Sequence, residues 1–301
     1  MMRSSIIIPT SNRPAGLKRA VTSALEALPG DSEIVVVDDA SEQPASDVLS
    51  YLKAEPVRII RKETQSGGGG SPARNMGAKT AQGAVLFFLD DDDEIKPDYC
   101  KQILEQGFPS AGFGFCARTF VITDAAGQRS VKDEKRKLDN GLIGASARFS
   151  EKTFPFSAGF WLTRDAYQDV GPMSEDLKTN SDTDYAIRLH ASQYAGWYAA
   201  VPGVFIHQSE GKGSGELASV TKRTKSAERA AAFENIAKRN ADVLRQDPQI
   251  AHFVYSRYVK HAIRSGNHDQ AWEAVMKASN RPIRRRLLMQ YAALRFLTKR
   301  V

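Results

Sequence analysis

Four consecutive carboxylates, Asp90, Asp91, Asp92 and Asp93, follow the apolar run AVLFFL that begins at Ala84. Four adjacent acids repel one another unless they share a cation, and a hard metal ion bound through oxygen is the natural guest. The apolar run has the length of a strand buried on both faces in a parallel sheet, and strand ends in such sheets open into the crevice where ligands bind. The same acids would also serve as a turn capping a helix that starts near Pro97, so this stretch alone leaves both readings open. Two further apolar strands end in polar residues: residues 5–8 run into Pro9, Thr10 and Asn12, and residues 34–37 into Asp38 and Asp39. Three such ends at one sheet edge make a nucleotide crevice the better account, because a carboxylate after the second strand can accept hydrogen bonds from ribose hydroxyls or a base imide.

The elements that must hold these ends alternate between strand and helix, the sign of a doubly wound parallel sheet. Pro14 opens a helix in which Leu17, Val21, Ala24, Leu25 and Leu28 recur at helical spacing, and Pro29-Gly30 stops it. A short helix near 46–52 and a strand at 57–60 follow. The four glycines 67–70 match neither a Walker loop nor a dinucleotide fingerprint, and they precede a helix with Ser71 and Pro72 at its start. Beyond the acids, the pattern predicts a helix over 97–106 and a strand over 113–122. Residues 132–142 show no period and read as a loop, and a last strand spans 201–206 with His207 directly after it. The segment QSEGKGSG behind His207 has the composition of a loop able to close over a ligand. From Glu216 the pattern is continuously helical. In the last helix, 284–300, leucines and aromatics mix with arginines, which suits either a membrane-surface helix or one packed on the body with its basic face in water.

Composition bounds the rest. The chain has 301 residues, 42% hydrophobic, enough for a large core. Its two cysteines, Cys100 and Cys116, fit neither a disulfide framework nor a zinc cluster, and the reading is a cytoplasmic protein. No apolar run approaches the roughly 20 residues of a membrane span. The net charge of +7 is unevenly spread: from Gly211 onward there are 19 Lys and Arg against 7 Asp and Glu, while residues 1–210 hold 23 against 28. A net +12 tail on a net −5 body suggests an acidic catalytic body with a basic appendage, not a nucleic-acid reader.

The segments SIIIPTSNRP, IVVVDDAS, GGSPARNMGAKTAQGAVLFFLDDDDEIKPD, SAGFWLTRDAYQDVGPMSEDL and NSDTDYAIRL resemble, in order and spacing, the inverting family 2 glycosyltransferases. The resemblance covers residues 1–210 and leaves out the tail beyond Gly215. It implies an α/β fold of the GT-A type, a doubly wound, mostly parallel sheet with a C-terminal helical appendage. The domains would be a transferase domain over 1–215, with a nucleotide-sugar half (1–100) and an acceptor half (101–215), then a basic helical region over 216–301. The resemblance places Pro9, Thr10 and Asn12 against the nucleotide, Asp39 on uracil or ribose with Asp38 beside it, and Arg74 facing the nucleotide or its phosphates. The family's acid-any-acid motif maps onto Asp90, Asp91 and Asp92. Asp90 would serve ribose or metal and Asp92 the metal, Mn²⁺ or Mg²⁺, while Asp91 and Asp93 are register alternatives. A histidine near His207 joins the metal shell in some relatives. The catalytic base comes from a Glu-Asp pair that here reads Ser181-Asp182, which nominates Asp182, with Asp184 as the alternative. Trp161 either lines the sugar pocket or belongs to the core.

The expected function is therefore inverting transfer of a sugar from a nucleoside diphosphate, a UDP-sugar above others, to an acceptor hydroxyl on a saccharide or lipid-linked acceptor in polysaccharide or glycolipid synthesis. The basic tail would give peripheral contact with an anionic membrane. The alternatives are a sugar nucleotidyltransferase, disfavoured because TSNRP stands where a glycine-rich loop is needed, and a degenerate sugar-nucleotide-binding module, suggested by Ser181.

Overall fold

The computed structural model describes residues 3–52, 56–67, 69–209, 224–278 and 280–298. In chain order the elements are β1 (Ser4–Thr10), α1 (Pro14–Ala27), β2 (Ser32–Asp38), α2 (Ala45–Val48), β3 (Val57–Arg61), α3 (Ser71–Thr80), β4 (Val85–Phe88), β5 (Glu94–Ile95), α4 (Tyr99–Gln102), β6 (Phe113–Thr123) and β7 (Arg129–Asp133). There follow β8 (Gly141–Leu142), α5 (Phe149–Lys152), β9 (Trp161–Thr163), α6 (Arg164–Val170), α7 (Ser181–His190), β10 (Gly196–Ser209), α8 (Ser226–Arg239), α9 (Ala241–Gln246), α10 (Pro248–Arg264), α11 (His268–Lys277) and α12 (Arg281–Thr298). They form two compact units. The first comprises Met1–Ala147, Phe154–Met173 and Ser192–Lys212, and the second Arg148–Thr153, Ser174–Ala191 and Gly213–Val301. The division is thus not one cut near residue 215, because two short segments from within the first 215 residues belong with the C-terminal helices.

The first unit is built on one sheet, ordered β3-β2-β1-β4-β9-β6-β10-β5, with β7 paired to β6 and β8 to β10. β3, β2, β1 and β4 run parallel, as do β6 and β10, whereas β9 joins the two sets antiparallel to both neighbours. Side chains alternate across a strand, so β1 and β2 each serve two faces. Ile6, Ile8, Ile34 and Val36 share a buried cluster with Leu17, Ala20, Val21 and Ala24 of α1. The opposite face takes α3, where a Cβ on Gly77 would lie 3.2 Å from Val37 Cγ2. That close approach explains a glycine inside this helix and leaves helices on both faces of the parallel half.

Pro9 lies within β1 and does not end it. Ile7 O accepts from Leu89 N and Thr10 O from Asp39 N, so Pro9 presents its missing N–H on the β4 side, past the last β4 residue paired with β1. β10 is longer than the sequence pattern suggests and includes His207, which pairs with Val121 of β6. The stretch expected as a loop over 132–142 is bounded by β7 and β8; every residue of β7 is exposed, which is why no apolar period announces it. Trp161 is fully buried in the sheet's core cluster and belongs to the core, not to a pocket wall. Cys100 and Cys116 are free and buried. The expected loop behind His207 lies, from residue 210 on, outside the described residues.

The second unit is helical, with a core cluster of its own. Phe233 and Ile236 of α8, Val254, Tyr258 and Val259 of α10, Val275 of α11 and Leu287 of α12 pack together with Phe149, Leu177 and Ile187. Those last three explain why the two short segments belong here. Local sequence sets the helix starts: Asp247 accepts from the N–H groups of Gln249 and Ile250 with Pro248 at the first helical position of α10, and Asn267 accepts from Gln270 N at the start of α11. Among the described residues no helix is long and apolar enough to cross a membrane.

Candidate functional site

β1, β2 and β4 are parallel, so their C-terminal ends bring Thr10, Asp38 and Asp90 to one edge of the sheet. After β4 the chain turns sharply, with Asp93 N donating to Asp90 O at 3.1 Å. A turn of this kind sets its first and fourth residues facing one another, and the four acids separate into two groups. Asp90, Asp92 and Asp93 converge, with one carboxylate oxygen from each lying within 4.8 Å of the others. Asp91 points away from them and is buried. It accepts from Thr10 Oγ1 at 2.8 Å, Ser11 N at 3.4 Å and Arg13 Nη1 at 2.9 Å. α1 comes so close to this turn that a Cβ on Gly16 would stand 2.5 Å from Asp91 O.

The electrostatics of the cluster follow from that crowding. Burial, reinforced by Asp90, pushes Asp92 up to about 6, and burial with Asp90 and Asp92 pushes Asp93 well above the ordinary carboxylate range. Burial likewise raises Asp91, with Arg13 opposing. Cations offset part of the charge: Arg13 bridges Asp91 and Asp92, each at 2.9 Å, and Arg74 pairs with Asp90. Arg74 also lies over the Phe156 ring, 4.9 Å from its centroid. Its Nε, and Ser71 Oγ at the start of the same helix, are buried without a hydrogen-bond partner among the described residues. Buried donors without partners are costly, and here they flank an acidic cluster at a helix N-terminus, where anions are favoured.

A hard divalent cation fits this set. Three carboxylate oxygens in mutual reach supply the donor type Mg²⁺ or Mn²⁺ takes, and the raised proton affinity of Asp92 and Asp93 marks charge still to be offset. Asp90 and Asp92 are the residues expected from the sequence. Asp93 joins them where Asp91 does not, and the three-residue span of a turn is the signal that favoured it. His207 takes another place. Its ring Nε2 meets Glu94 Oε1 at 2.5 Å while its backbone N–H donates to Asp93 Oδ1 at 3.1 Å, so it supports the cluster from within β10 and is outside the converging set.

The other expected contacts divide between surface and interior. Asp38 is fully buried, accepting from Ser41 N, Ala45 N and Arg61 Nη1; it shapes the loop after β2 instead of facing a ligand. Asp39 is more open. Burial would raise it, but the Lys62 ammonium and the Ser66 hydroxyl and N–H hold it below the ordinary range, as a carboxylate ready to accept. Asn12, in the left-handed region at φ 55°, joins two strand-end loops: its Oδ1 accepts from Glu42 N at 2.7 Å and its N–H donates to Ser41 Oγ at 3.0 Å. Arg13, Lys62 and Ser66 were not singled out by sequence reasoning. Arg13 sits one residue before the helix-opening proline, and nothing in its local pattern shows that it reaches the acids.

The second unit holds both candidate bases, on α7. Asp182 is half-buried in the first turn and accepts from Thr183 N at 2.7 Å. Asp184 is fully buried and committed: Oδ2 accepts from Ser174 Oγ at 2.7 Å and Arg188 Nε at 3.2 Å, and Oδ1 from Asn240 Nδ2 at 2.9 Å. That makes Asp184 the anchor of its helix and leaves Asp182 as the accessible acid of the pair.

Comparison with known proteins bears on the family and the fold. An uncharacterised glycosyltransferase of Haemophilus influenzae is 29% identical over 196 residues, covering 62% of this chain and 61% of its own length. The poly(ribitol-phosphate) β-N-acetylglucosaminyltransferase TarS of Staphylococcus aureus is 36% identical over 104 residues, 34% of this chain and 18% of that protein. The matches therefore span less than two thirds of the length of these relatives. The crystal structure of S. aureus TarS 1–349 in complex with UDP-GlcNAc shares the fold, with a TM-score of 0.68 at 16% identity, covering 99% of this chain and 92% of that one. The fold is the GT-A type, with helices following it. The model of glycosyl transferase family 2 matches residues 5–171, more than half of the chain, and the chain belongs to that family.

Proposed function

We propose that the protein transfers a sugar from a nucleoside diphosphate, UDP above others, to an acceptor hydroxyl with inversion at the anomeric carbon. The observation that carries this reading is the convergence of Asp90, Asp92 and Asp93 beside Ser71 Oγ and Arg74 Nε, which have no hydrogen-bond partner among the described residues, at the strand edge of a family 2 chain. Asp39, held as an anion by Lys62 and Ser66, accepts from the base or ribose. Ser71, Arg74 and the first N–H groups of α3 take the diphosphate. Asp90, Asp92 and Asp93 would hold Mn²⁺ or Mg²⁺, which when bound offsets the charge gathering on the departing nucleoside diphosphate. Asp182 takes the proton from the acceptor hydroxyl while its oxygen bonds to the anomeric carbon and the bond to the diphosphate oxygen breaks. UDP as the nucleotide is supported by the likeness to TarS, whose structure was determined with UDP-GlcNAc. A saccharide or lipid-linked acceptor is the class such a transfer serves, and the basic C-terminal helices would bring the enzyme to an anionic membrane.

Thermal unfolding with each nucleoside diphosphate, with and without Mn²⁺, tests this. A ligand that binds only the folded state at a hundredfold excess over its Kd adds about 2.7 kcal/mol, so UDP with Mn²⁺ should raise Tm by several degrees. Asp92→Asn should abolish the metal-dependent part. Equal stabilisation by all bases, or none by any, would remove the donor assignment.

A further inference from the structure

The last helix has two apolar faces, and the helical core takes one of them. Ile283, Leu287 and Tyr291 turn inward and are buried in the helical core, with Leu294 packed against it. On the opposite face Met289 is 61% exposed and Phe296 58%, with Leu288 beside them at 37%. Arg281, Arg285, Met289 and Phe296 lie four, four and seven residues apart, which places them along one line of an α-helix. Residues 281–298 contain no Asp or Glu.

The neighbouring helix extends the same surface. The Trp272 ring on α11 meets the Tyr291 ring with centroids 5.6 Å apart, and Arg284 Nη2 donates to Met276 O at 3.2 Å, so α11 runs along the Leu288 side of α12. Trp272 and Met276 are each 47% exposed. The acids of this surface are confined to α11, where Asp269 stands in the first turn and Glu273 pairs with Lys277 at 2.6 Å, while α12 sets its arginines beside exposed Phe, Leu and Met. A basic, apolar helix face of this kind meets the requirements of a helix lying in a bilayer interface. There apolar side chains enter the acyl boundary, Trp sits at headgroup level and cations meet anionic lipid.

We propose that the outer face of α11 and α12 is a docking surface for an anionic lipid bilayer. Charge complementarity selects this occupant. α11 and α12 carry Lys277, Arg281, Arg284, Arg285, Arg286 and Arg295 against Asp269 and Glu273, so a second copy of the same face would be repelled. A nucleic acid would meet the arginines and leave Phe296 and Met289 without a role.

The test uses the full chain with vesicles of phosphatidylcholine alone or of phosphatidylcholine with phosphatidylglycerol. Co-sedimentation is expected with the anionic vesicles only, weakening as salt rises. The double variant Met289→Ser, Phe296→Ser should partition on the order of tenfold less well, because two large apolar side chains no longer enter the acyl boundary. Both residues are exposed, so its thermal unfolding should match that of the parent protein. Arg281→Gln with Arg285→Gln should reduce binding to anionic vesicles with a smaller salt dependence. Parent protein that stays in the supernatant, or a Met289/Phe296 variant that binds as the parent does, overturns the proposal. So does a dimer seen by light scattering that the double variant disperses. Partition is read without donor or acceptor, so its failure leaves the transferase reading intact.

Discussion

The two units treat buried carboxylate in opposite ways. In the sheet unit Asp90, Asp92 and Asp93 crowd one turn, and burial together with the neighbouring acids raises the proton affinity of Asp92 and Asp93 although Arg13 and Arg74 pair with the cluster. In the helical unit Asp184 is buried more deeply than any of these, yet three donors from Ser174, Arg188 and Asn240 satisfy both its oxygens. A satisfied acid of this kind is architecture: it ties α7 to the C-terminal helices. A crowded, under-neutralised cluster is kept only where something else completes it.

Breaking that comparison at its most sensitive point means separating two acids two residues apart. Asp182→Asn should lower kcat by about 10²–10⁴-fold, the usual contribution of a general base, with KM for the donor and thermal stability close to those of the parent. A variant with parental turnover would show that Asp182 is not the base. Asn240→Ala acts on the anchor instead. It leaves a buried carboxylate oxygen without its donor, at a cost of about 1–3 kcal/mol in urea denaturation. The increment in stability from UDP and Mn²⁺ should remain, since that site lies in the other unit. Unchanged stability would mean that Asp184 does not tie α7 down.

How far this was legible depends on whether a residue's role is local. β1, β2 and β4 announce themselves because both faces are buried, leaving continuous apolar runs, and their shared edge follows from parallel topology. β7 carries no such signal because all of it is exposed. The acids were readable as a group but not individually: the turn that faces Asp93 to Asp90 and sends Asp91 inward to Thr10 depends on backbone geometry that four identical residues do not encode. Asp38 looked like its neighbour Asp39 for the same reason, although Arg61, reached through the pairing of β3, closes it off. The helical region's link to residues 148–153 and 174–191 is made by Phe149, Leu177 and Ile187, each unremarkable in sequence.

The two units should also answer pH in opposite directions. Asp92, raised to about 6, holds a proton in the fold that the unfolded chain has already released. Its contribution to stability is present below the ordinary carboxylate range and is lost as pH rises through about 6. Burial depresses His190 to about 4, and burial with Arg229 and Lys260 depresses His261 to about 4. Their contribution is present above the ordinary histidine range and is lost as pH falls from there towards 4. Metal-free protein followed by near-UV signals from each unit should show the sheet unit gaining and the helical unit losing stability between pH 6 and pH 4. Parallel trends in both would mean that the crowding at Asp92 is relieved in solution.

The smallest effect concerns His207, which sits at the edge of the acidic cluster without joining it. Its ring touches Glu94, while the contact to Asp93 runs through its backbone N–H and survives any substitution but proline. Glutamine keeps a side-chain donor for Glu94, so His207→Gln should weaken Mn²⁺ by less than about tenfold, the low end for residues that support a ligand from behind. Asp93→Asn, by contrast, removes one of the three converging oxygens and should lose metal-dependent UDP binding outright. Titrating Mn²⁺ by electron paramagnetic resonance in the two variants separates the roles. Equal losses would bring His207 into the metal shell, and the acid cluster would then owe its third ligand to β10 instead of to the turn after β4.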